Sequence, residues 1–449
     1  MDHTLFLQTI SLTNSINHTI NTMPLFTLIF RMGLFFAFLV LIDLYAFQGI
    51  KHLTQNISSD RWKLIIRISY WVITIGFYLL PLSLFLIPSA KNGPSSKWVT
   101  ATIGTFVLLY LPKLTFIIFL LFDDIIIWIQ WIIQKINGFK TSGSNEVSGN
   151  YSTLTRSDFL VKSGAFLAML PFASVAYGIL KGRYEYVVRN VKVPIKNLPS
   201  DFEGFKILQI SDLHTGSFDD KEAVAKGFEL IHSQKADIIC FTGDLVNNKT
   251  EEALPYQDLL SGLSAPMGVY SILGNHDYGD YVRDWRPGEK EQNFKDMLAF
   301  HEKVGWKLMM NEHTILTKGT SSIALIGIEN WGARAGFPKY GKLDMAIENM
   351  PEVPVKVLLS HDPSHWDAQV RTKYPEINLT LSGHTHGFQF GVDILGYQWS
   401  PVQFIYKQWA GLYQENQQAI YVNRGFGFIG FPGRVGILPE ITVLELTQA

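Results

Sequence analysis

Four short motifs in the C-terminal half of the chain combine carboxylate, amide and imidazole side chains. They are Asp212-Leu213-His214, Gly243-Asp244, Gly274-Asn275-His276-Asp277 and Gly383-His384-Thr385-His386, and the separate His361 precedes the last of them. Divalent cations such as manganese, iron and zinc accept this mixture of oxygen and imidazole ligands. A single Gly-Asp or His-x-His is usually a turn or a surface feature, so the interpretation depends on all five features occurring together.

Each of these features follows a short apolar run that predicts a buried strand. The predicted strands are Phe205 to Ile210, Asp237 to Phe241, Val269 to Leu273, Val355 to Leu359 and Leu379 to Leu381. Ligands bind beyond the carboxyl ends of strands in an open α/β sheet, so five strand ends can bring the side chains into one site. Asp212 and His214 are two residues apart, as are His384 and His386, and each pair faces one way if its strand continues.

The ligand types predict a dinuclear metal centre that hydrolyses phosphate esters. A carboxylate such as Asp244 can bridge two cations about 3.5 to 4 Å apart, which is the spacing of two-metal phosphatases and nucleases. Asn275 offers a neutral amide oxygen, and the adjacent His276 can point to the other side. The chain contains neither a P-loop nor a Gly-rich dinucleotide fingerprint, which argues against nucleoside triphosphate hydrolysis by that route.

The motifs as a set resemble those of the calcineurin-like metallophosphoesterases, and Tyr421 to Gly425 and Pro439 to Ile441 resemble a membrane-associated bacterial branch of that family. The family pattern of Asp-x-His, Gly-Asp-x-x-Asp, Gly-Asn-His-Asp/Glu, a later His and Gly-His-x-His is matched from Phe205 to His386. The resemblance implies two metal ions, the first held by Asp212, His214, Asp244 and His386, the second by Asp244, Asn275, His361 and His384. It also implies that His276 is the general acid or a stabiliser of phosphoryl charge, and that Asp277 orients it.

Two positions depart from the family pattern. Asn247 stands where the second motif usually has Asp, and Phe388 follows Gly387 where a second Gly is common. Neither position is a usual direct ligand in the family. We therefore expect altered surroundings of the metals or an altered pocket shape, with the metal ions retained.

The first part of the chain is far more apolar than the rest and predicts an integral protein of the cell membrane. Four mostly apolar runs are long enough to cross a bilayer: Leu25 to Phe47, Ile68 to Ile87, Trp98 to Phe122 and Phe159 to Leu180. Lys and Arg are concentrated around the first and third loops, which places those loops in the cytoplasm and the C-terminal half outside it. The stretch Thr155 to Lys162 resembles a twin-arginine export signal with Ser157 in place of one arginine, and it favours the same orientation.

Three ionisable residues lie within the predicted spans, where such residues are functional candidates. Arg31 and Asp43 lie near the ends of the first span and can extend to the membrane surface. Lys113 follows Pro112 in the third span. It marks either a kink with a polar cavity, or a region beyond a span that ends near Leu111.

The pattern predicts a membrane region at residues 1–183 and a layered α/β domain at residues 184–449. Amphipathic stretches alternate with the predicted strands, as expected of such a domain: Lys221 to His232, Glu252 to Leu263, Asn293 to Val304 and Ser364 to Arg371. Further strands are predicted at Ile323 to Ile328, Ile420 to Asn423 and Ile441 to Leu446. The family resemblance implies an αββα sandwich, with two central sheets between helices. Gly138 to Ser157 is predicted to be a connecting loop.

Several further residues have two interpretations each. The segment Tyr278 to Gly288, which contains Arg283, Trp285 and Arg286, is either a substrate-contacting loop or a solvated connection. Arg424 and Arg434 either bind phosphate oxygens or pack as ordinary arginines. His301, His313 and His365 have no ligand spacing and are interpreted as structural, and Cys240 as a buried core residue.

The leading functional hypothesis is a membrane-anchored phosphohydrolase that uses two divalent metal ions, with manganese, iron or zinc as candidates. Its substrate would be a phosphorylated small molecule or a lipid-linked envelope compound, cleaved at a phosphoester or pyrophosphate bond. The net charge of −1 gives no indication of a nucleic-acid partner. The alternative is a non-enzymatic metal- or ligand-binding sensor coupled to the membrane helices, and the complete ligand set together with His276 argues against it.

Overall fold

The computed structural model describes residues 25–86, 97–138, 156–282 and 284–449 of the chain. It divides into two compact units. The first contains Met1–Pro88 and Thr102–Ala176, and the second contains Ser89–Ala101 and Tyr177–Ala449. Residues 1–24 and most of the predicted loop from Gly138 to Ser157 lie outside the described residues.

Within the part of the chain that the structure describes, four long helices precede the first strand, and each contains a segment that is long and apolar enough to cross a membrane. They are α1 (Leu25–Thr54), α2 (Asp60–Leu86), α3 (Lys97–Gly138) and α4 (Arg156–Leu180). The four predicted spans are thereby confirmed. The third helix runs without a break through Pro112, so it does not end near Leu111.

Asp43 and Lys113 form an ion pair inside the helical unit, with the Lys113 Nζ 2.6 Å from the Asp43 Oδ1. The Tyr110 hydroxyl donates to the Asp43 Oδ2 at 2.9 Å, and the Tyr78 hydroxyl donates to the same atom. Asp43 is completely buried. The interpretation that Asp43 extends to the membrane surface is therefore wrong, because its charge is compensated inside the unit by residues of α2 and α3.

The second unit contains two six-stranded sheets and a small hairpin. The first sheet has the order β1-β14-β2-β3-β4-β5, and the second has the order β12-β13-β9-β8-β7-β6. The strands of the first sheet are β1 (Val187–Ile195), β2 (Lys206–Ile210), β3 (Ile238–Phe241), β4 (Val269–Ser271), β5 (Lys307–Leu308) and β14 (Glu440–Gln448). Those of the second are β6 (Glu312–Lys318), β7 (Ser321–Gly327), β8 (Lys356–Leu359), β9 (Leu379–Ser382), β12 (Gly411–Glu415) and β13 (Gln418–Val422). The hairpin pairs β10 (Val392–Ile394) with β11 (Tyr397–Trp399) in antiparallel register.

The two sheets face each other across one apolar core. Ile207 and Leu444 of the first sheet share this core with Leu325, Val357 and Tyr421 of the second. Strands that are buried on both faces have continuous apolar sequences. This explains why apolar and polar residues do not alternate along β2, β3, β8 and β9.

Helices cover the outer face of each sheet. The main ones on the first sheet are α5 (Lys221–Ser233) and α7 (Glu289–Lys303), and the short α6 (Gln257–Ser261) lies between them in the chain. The short α8 (Leu343–Ala346) and the buried Trp366 pack on the second sheet, and α9 (Arg371–Lys373) follows a π-helical turn at Trp366–Val370. This helix–sheet–sheet–helix order confirms the predicted αββα architecture.

The predicted helices at Lys221 to His232 and Asn293 to Val304 correspond to α5 and α7. The other two predicted helices are only partly α-helical. Glu252 to Leu263 begins as a 3₁₀ helix at Thr250–Tyr256 before α6. Ser364 to Arg371 is mainly the π-helical turn at Trp366–Val370. In Glu252 to Leu263, Pro255 lacks the backbone amide that a regular α-helix needs.

Candidate metal centre

The five sequence features lie at the carboxyl ends of adjacent parallel strands. In the first sheet β2, β3 and β4 are parallel neighbours, and in the second β8 and β9 are parallel neighbours. Parallel neighbours end at the same edge of their sheet. Each sheet therefore presents its motifs at one edge, and the edges of the two sheets meet at the site.

Two clusters of three side chains offer ligand atoms within 4.8 Å of one another. The first cluster is Asp212, His214 and His386, and the second is Asp244, His361 and His384. In the first cluster the His386 Nε2 lies 3.0 Å from the His214 Nε2 and 3.2 Å from an Asp212 carboxylate oxygen. Two imidazole nitrogens and a carboxylate oxygen that converge in this way can share a cation.

Asp244 links the two clusters. Its Oδ2 lies 3.2 Å from the Nε2 of His361 and 3.5 Å from the Nε2 of His214. The His384 Nδ1 completes the second cluster at 3.3 Å from the His361 Nε2. One carboxylate oxygen of Asp244 thus faces an imidazole of each cluster.

Asn275 contributes a buried oxygen that lacks a hydrogen-bond partner among the described residues. Its Nδ2 donates to the Tyr281 hydroxyl at 2.9 Å, which fixes the orientation of the amide. A buried amide oxygen without a donor is costly. A cation would satisfy this atom, so the residues present fit a metal site.

Backbone carbonyls orient two of the histidines. The His361 Nδ1 lies 2.7 Å from the Thr242 carbonyl oxygen, and the His214 Nδ1 lies 3.2 Å from that of Val246. An Nδ1–H that donates to a carbonyl leaves the Nε2 lone pair facing the site. His384 has the opposite arrangement, since its Nε2 lies 2.9 Å from the Tyr406 hydroxyl and its Nδ1 faces the cluster.

The pKa values of Asp244, His214 and His384 favour lone pairs that are available to a cation, whereas that of His361 favours a bound proton. Burial raises the pKa of the Asp244 carboxyl, but the imidazoles of His361 and His276 outweigh burial and hold the pKa well below its usual range. Burial lowers the pKa of His214 well below its ordinary value and also lowers that of His384. Burial lowers the pKa of His361 too, but Asp244 outweighs it and raises the pKa to about 10. A cation bound there would displace the proton of His361.

Five of the seven predicted ligands have left-handed backbone conformations. The strands end at Ile210 and Ser382, and the φ angles of Asp212, His214, Asp244, His384 and His386 lie between 50° and 70°. The strands therefore do not continue through these two pairs, so the condition for strand alternation is not met, although Asp212 and His214 still lie in one cluster. Non-glycine residues in this region cost on the order of 1–3 kcal/mol each and concentrate at functional sites.

Glycines allow the motif loops to approach one another. A Cβ on Gly274 would lie 2.2 Å from an Asp244 carboxylate oxygen. One on Gly383 would lie 2.2 Å from an Asp212 carboxylate oxygen and 2.0 Å from the Ser211 hydroxyl. The Gly in each of these motifs is therefore required by the close packing of backbone against the ligand carboxylates.

His276 and Asp277 are adjacent in sequence but have different surroundings. The His276 Nδ1 lies 2.7 Å from the backbone carbonyl oxygen of Asn247, and the ring is partly exposed. The Asp277 carboxylate is fully buried and accepts hydrogen bonds at 2.8 to 3.3 Å from the backbone amides of Asp244, Leu245, Val246 and Gly274. The described partner that orients the His276 ring is thus Asn247. Asp277 holds the loop that contains Asp244 against the loop that begins at Gly274.

Three residues near the site were missed by sequence reasoning. The Tyr281 ring lies 4.6 Å from that of His276, and the Tyr406 hydroxyl contacts His384. The Arg334 guanidinium lies 5.0 Å from the Tyr406 ring centroid, and its Nη1 is buried without a hydrogen-bond partner among the described residues. These residues come from three loops without a shared motif, so spacing could not identify them. Tyr281 lies in the loop that was a candidate for substrate contact, in which Arg283 is outside the described residues.

Arg424 and Arg434 are both buried and bonded within the protein. Arg424 pairs with Glu440 at 2.5 Å and with Asp393 at 3.2 Å. Arg434 donates to the backbone carbonyls of Arg424, Gly425 and Gly427, and its Nη2 lies 3.3 Å from the His386 Nδ1. These contacts favour the packing interpretation over direct phosphate binding.

The remaining histidines and the cysteine lie outside the clusters. His301 and His365 are buried, and the His313 Nδ1 lies 2.8 Å from the Ala346 carbonyl oxygen. Cys240 is buried within β3, as predicted.

Two sheets between helices, with Asp and His clusters at the strand ends, define the class of metal-dependent phosphoesterases. Residues 205–388 match the family profile described as calcineurin-like phosphoesterase. Residues 25–183 match the profile described as a probable transmembrane domain of calcineurin-like phosphoesterases. The chain belongs to the calcineurin-like metallophosphoesterase family and is a membrane protein of that family.

Similar proteins occur in bacteria and in animals. The chain is 30% identical over 292 residues to the metallophosphoesterase YkuE of Bacillus subtilis, a match that covers 63% of this chain and 94% of YkuE. It is 28% identical over 301 residues to a transmembrane protein with metallophosphoesterase domain of Danio rerio, covering 64% of this chain. It spans 65% of the length of that relative, slightly under two thirds. Among solved structures, Haemophilus influenzae NAD nucleotidase aligns with 16% identity over 50% of this chain and 45% of that chain, with a TM-score of 0.35.

Proposed function

We propose that the chain is a membrane-anchored phosphohydrolase that works with two divalent cations. The observation that carries the proposal is the position of Asp244, because its Oδ2 atom faces one imidazole of each cluster. Membership of a metallophosphoesterase family supports the same reaction class. A sensor without catalysis would have no need of the partly exposed His276 beside these clusters.

The first cation would be held by Asp212, His214, Asp244 and His386, and the second by Asp244, Asn275, His361 and His384. Manganese, iron and zinc all suit this mixture of nitrogen and oxygen ligands. Two such cations, when bound, supply Lewis-acid stabilisation of phosphoryl oxygens and lower the pKa of water. The unpartnered Asn275 oxygen supports the second set.

The roles of the surrounding residues follow from their contacts. The His276 Nδ1 is engaged by the Asn247 carbonyl oxygen. The Nε2 is therefore the atom that can pass a proton to the leaving-group oxygen. The unpartnered Nη1 of Arg334 can donate to a phosphoryl oxygen of the substrate. Asp277 is a positioning residue, because its carboxylate holds the backbone of the Asp244 and Asn275 loops.

The proposed substrate is a phosphoester or pyrophosphate, in its most specific form a lipid-linked compound of the cell envelope. Four spans hold the catalytic unit close to a bilayer, which supports a substrate at the membrane surface. We place the catalytic domain at residues 184–449 on the extracytoplasmic side of the cell membrane, with residues 1–183 as its anchor. The concentration of Lys and Arg in the first and third loops supports this orientation.

The test is hydrolysis of a chromogenic phosphodiester and of its monoester by the detergent-purified protein with added manganese. Asp244→Asn and His276→Ala are measured beside the wild type, with metal content determined by mass spectrometry. His232→Ala is the matched control, because His232 is an exposed histidine of α5 outside both clusters.

We expect activity that disappears in Asp244→Asn together with bound metal, and that falls in His276→Ala with metal retained. The relative rates on the two substrates give the bond preference. A wild type that binds two cations per chain and hydrolyses neither these probes nor lipid pyrophosphates would contradict the proposal and favour the sensor. Equal loss in His232→Ala would show that the effect is nonspecific.

A further inference from the structure

An apolar surface lies beside the candidate metal centre. Between Val187 and Ala449 the described residues include nine large hydrophobic side chains that are exposed, and five of them fall within 17 residues. These five, which we call the apolar hairpin surface, are Phe388, Ile394, Leu395, Tyr397 and Phe404. All are more than half exposed, and Leu395 at the tip between β10 and β11 is completely so. Concentrated exposed apolar side chains mark an interaction site.

The surface carries almost no charge. From Phe388 to Tyr406 the sequence contains one charged residue, Asp393. The Asp393 carboxylate is turned inward, where it lies 2.6 Å from the Arg189 guanidinium and 3.2 Å from that of Arg424. The exposed part of the hairpin is therefore uncharged, which lowers the cost of contact with lipid.

Two of the exposed side chains sit on unfavourable backbone. Phe388 has a φ of 60° and Leu395 a φ of 52°, both in the left-handed region that glycine adopts without strain. Phe388 is the position at which the family commonly has a second Gly. A bulky apolar residue at such a position costs stability and gains nothing from burial, so its exposure indicates a binding role.

The hairpin is joined by hydrogen bonds to the end of a membrane-spanning helix. The Gly391 amide, just before β10, donates to the Val435 carbonyl at 2.9 Å, and the Val435 amide donates to the Gln389 carbonyl at 2.8 Å. The residue before Val435, Arg434, donates its amide to the carbonyl of Gly178 in the last turn of α4 at 3.1 Å. Gly178 lies two residues before the end of the candidate span Arg156–Leu180. The base of the hairpin is thus close to the point where the chain leaves the bilayer.

We propose that the apolar hairpin surface contacts the lipid bilayer, with Ile394, Leu395 and Tyr397 inserted at the boundary between headgroups and acyl chains. Leu395 lies four positions after Gly391, a reach of roughly 13 Å in extended chain. This is enough to cross a headgroup layer several ångström thick. Tyr397 is an aromatic residue of the type enriched at membrane interfaces. The contact goes beyond the proposed function and does not depend on catalysis.

The contact would also set the position of the metal centre. Phe388 follows His386 by two residues, and the Ser400 hydroxyl donates to the Gly387 carbonyl at 2.8 Å, so the surface and the Gly-His-Thr-His motif are one structure. A hairpin held in the headgroup layer keeps this motif close to phosphate groups at the membrane surface.

The test places an environment-sensitive fluorophore at the tip of the hairpin in the full chain. Leu395→Cys is made in a Cys240→Ala background, labelled, and reconstituted in lipid nanodiscs, where both bilayer faces meet solvent. Met345→Cys is the matched control, since Met345 is also more than half exposed but lies on α8. Quenching by nitroxide groups on the acyl chains is compared with quenching by iodide in the water. Ile394→Cys gives a second reading of the same surface if one variant folds poorly.

We expect the labels at 394 and 395 to be quenched by the lipid nitroxide and protected from iodide, with the reverse at 345. Iodide quenching at 395 equal to that at 345 would overturn the proposal. Protection from both quenchers would also overturn it, because protein, such as a second copy of the chain, would then cover the surface. Since the readout is fluorescence, the result is independent of whether the protein hydrolyses phosphoesters.

Discussion

His276 and Asp277 show how neighbouring residues of one motif acquire separate duties. The His276 side chain is anchored through its Nδ1, and the residue remains partly exposed. The Asp277 carboxylate faces inward and binds four backbone amides. The surroundings, and not the motif, determine that one residue can transfer a proton while the other maintains the geometry of the ligands.

Replacement of Asp277 by Ala should therefore destabilise the α/β unit and release metal. Four buried amide donors lose their acceptor, and each unsatisfied group costs on the order of 1–3 kcal/mol before water compensates. The measurement is the temperature at which the buried Cys240, the single cysteine, reacts with a thiol-reactive fluorophore. An unchanged temperature with full metal content would contradict the positioning role.

His276→Ala should behave in the opposite way. We expect kcat to fall by about 100-fold or more, as is typical for removal of a general acid. The unfolding temperature and the metal content should stay close to those of the wild type, because the variant loses one side-chain hydrogen bond, to the Asn247 carbonyl, and keeps the backbone amide bond to Asp244. A parallel loss of metal would assign His276 to metal binding.

At the scale of elements, the Asp43–Lys113 pair joins α1 to α3, and Tyr78 adds α2. Lys113→Met should lower the thermal stability of the detergent-solubilised protein, because an unpaired buried carboxylate costs about 3–5 kcal/mol. Adding Asp43→Asn to this variant should recover most of the loss, since no buried charge then remains. Both effects are measured as the temperature at which heated samples lose their monodisperse peak in size-exclusion chromatography. Lys135→Met, an exposed lysine of α3, is the control. A double variant as unstable as the single one would argue against a simple ion pair.

Gly178 in the last turn of α4 packs directly against the loop that carries Arg434. A Cβ at this position would lie 2.6 Å from the Arg434 carbonyl oxygen. Gly178→Leu should displace Arg434, disturb its contact with His386 and reduce the number of metal ions bound per chain. Gly76→Leu is the control, because a Cβ on Gly76 of α2 has nothing within 4 Å. Equal metal content in the two variants would show that this contact does not influence the site.

At the scale of the whole molecule, buried neutral histidines make stability dependent on pH. Burial lowers the pKa of His301 to about 4, and burial lowers that of His365 to about 4 as well. The unfolded chain takes up a proton near pH 6.5 that the folded state does not accept, so stability is lost as the pH falls from about 6.5 toward 4. For a single histidine the difference corresponds to roughly 3 kcal/mol.

His301→Gln should flatten part of this dependence. Glutamine does not titrate and can still donate to the Met297 carbonyl, which the His301 Nδ1 contacts at 2.9 Å. The measurement is the unfolding temperature between pH 4 and pH 7, followed by tryptophan fluorescence. Identical slopes for wild type and variant over this range would mean that the folded state also protonates His301, as an exposed histidine would, and would contradict the prediction.

Local signals in the sequence were sufficient for the four spans, for most strands and for the position of the motifs. Apolar length predicts a span, and a short apolar run bounded by Gly, Asp or His predicts a buried strand, because both depend on the residues of one segment. Parallel strands end at one edge, so the convergence of Asp212, Asp244, Asn275, His361 and His384 followed from their positions after strands.

Only the tertiary structure decided how these residues meet. His214 and His386 are 172 residues apart and Asp43 and Lys113 are 70 apart, so packing between distant elements determines their contact. The left-handed backbone of the ligands is held by surrounding loops, and for this reason strand alternation does not describe it. Arg334, Tyr406 and the exposed hairpin belong to no motif. Their proximity to the site arises from loop packing, which single-sequence patterns do not encode.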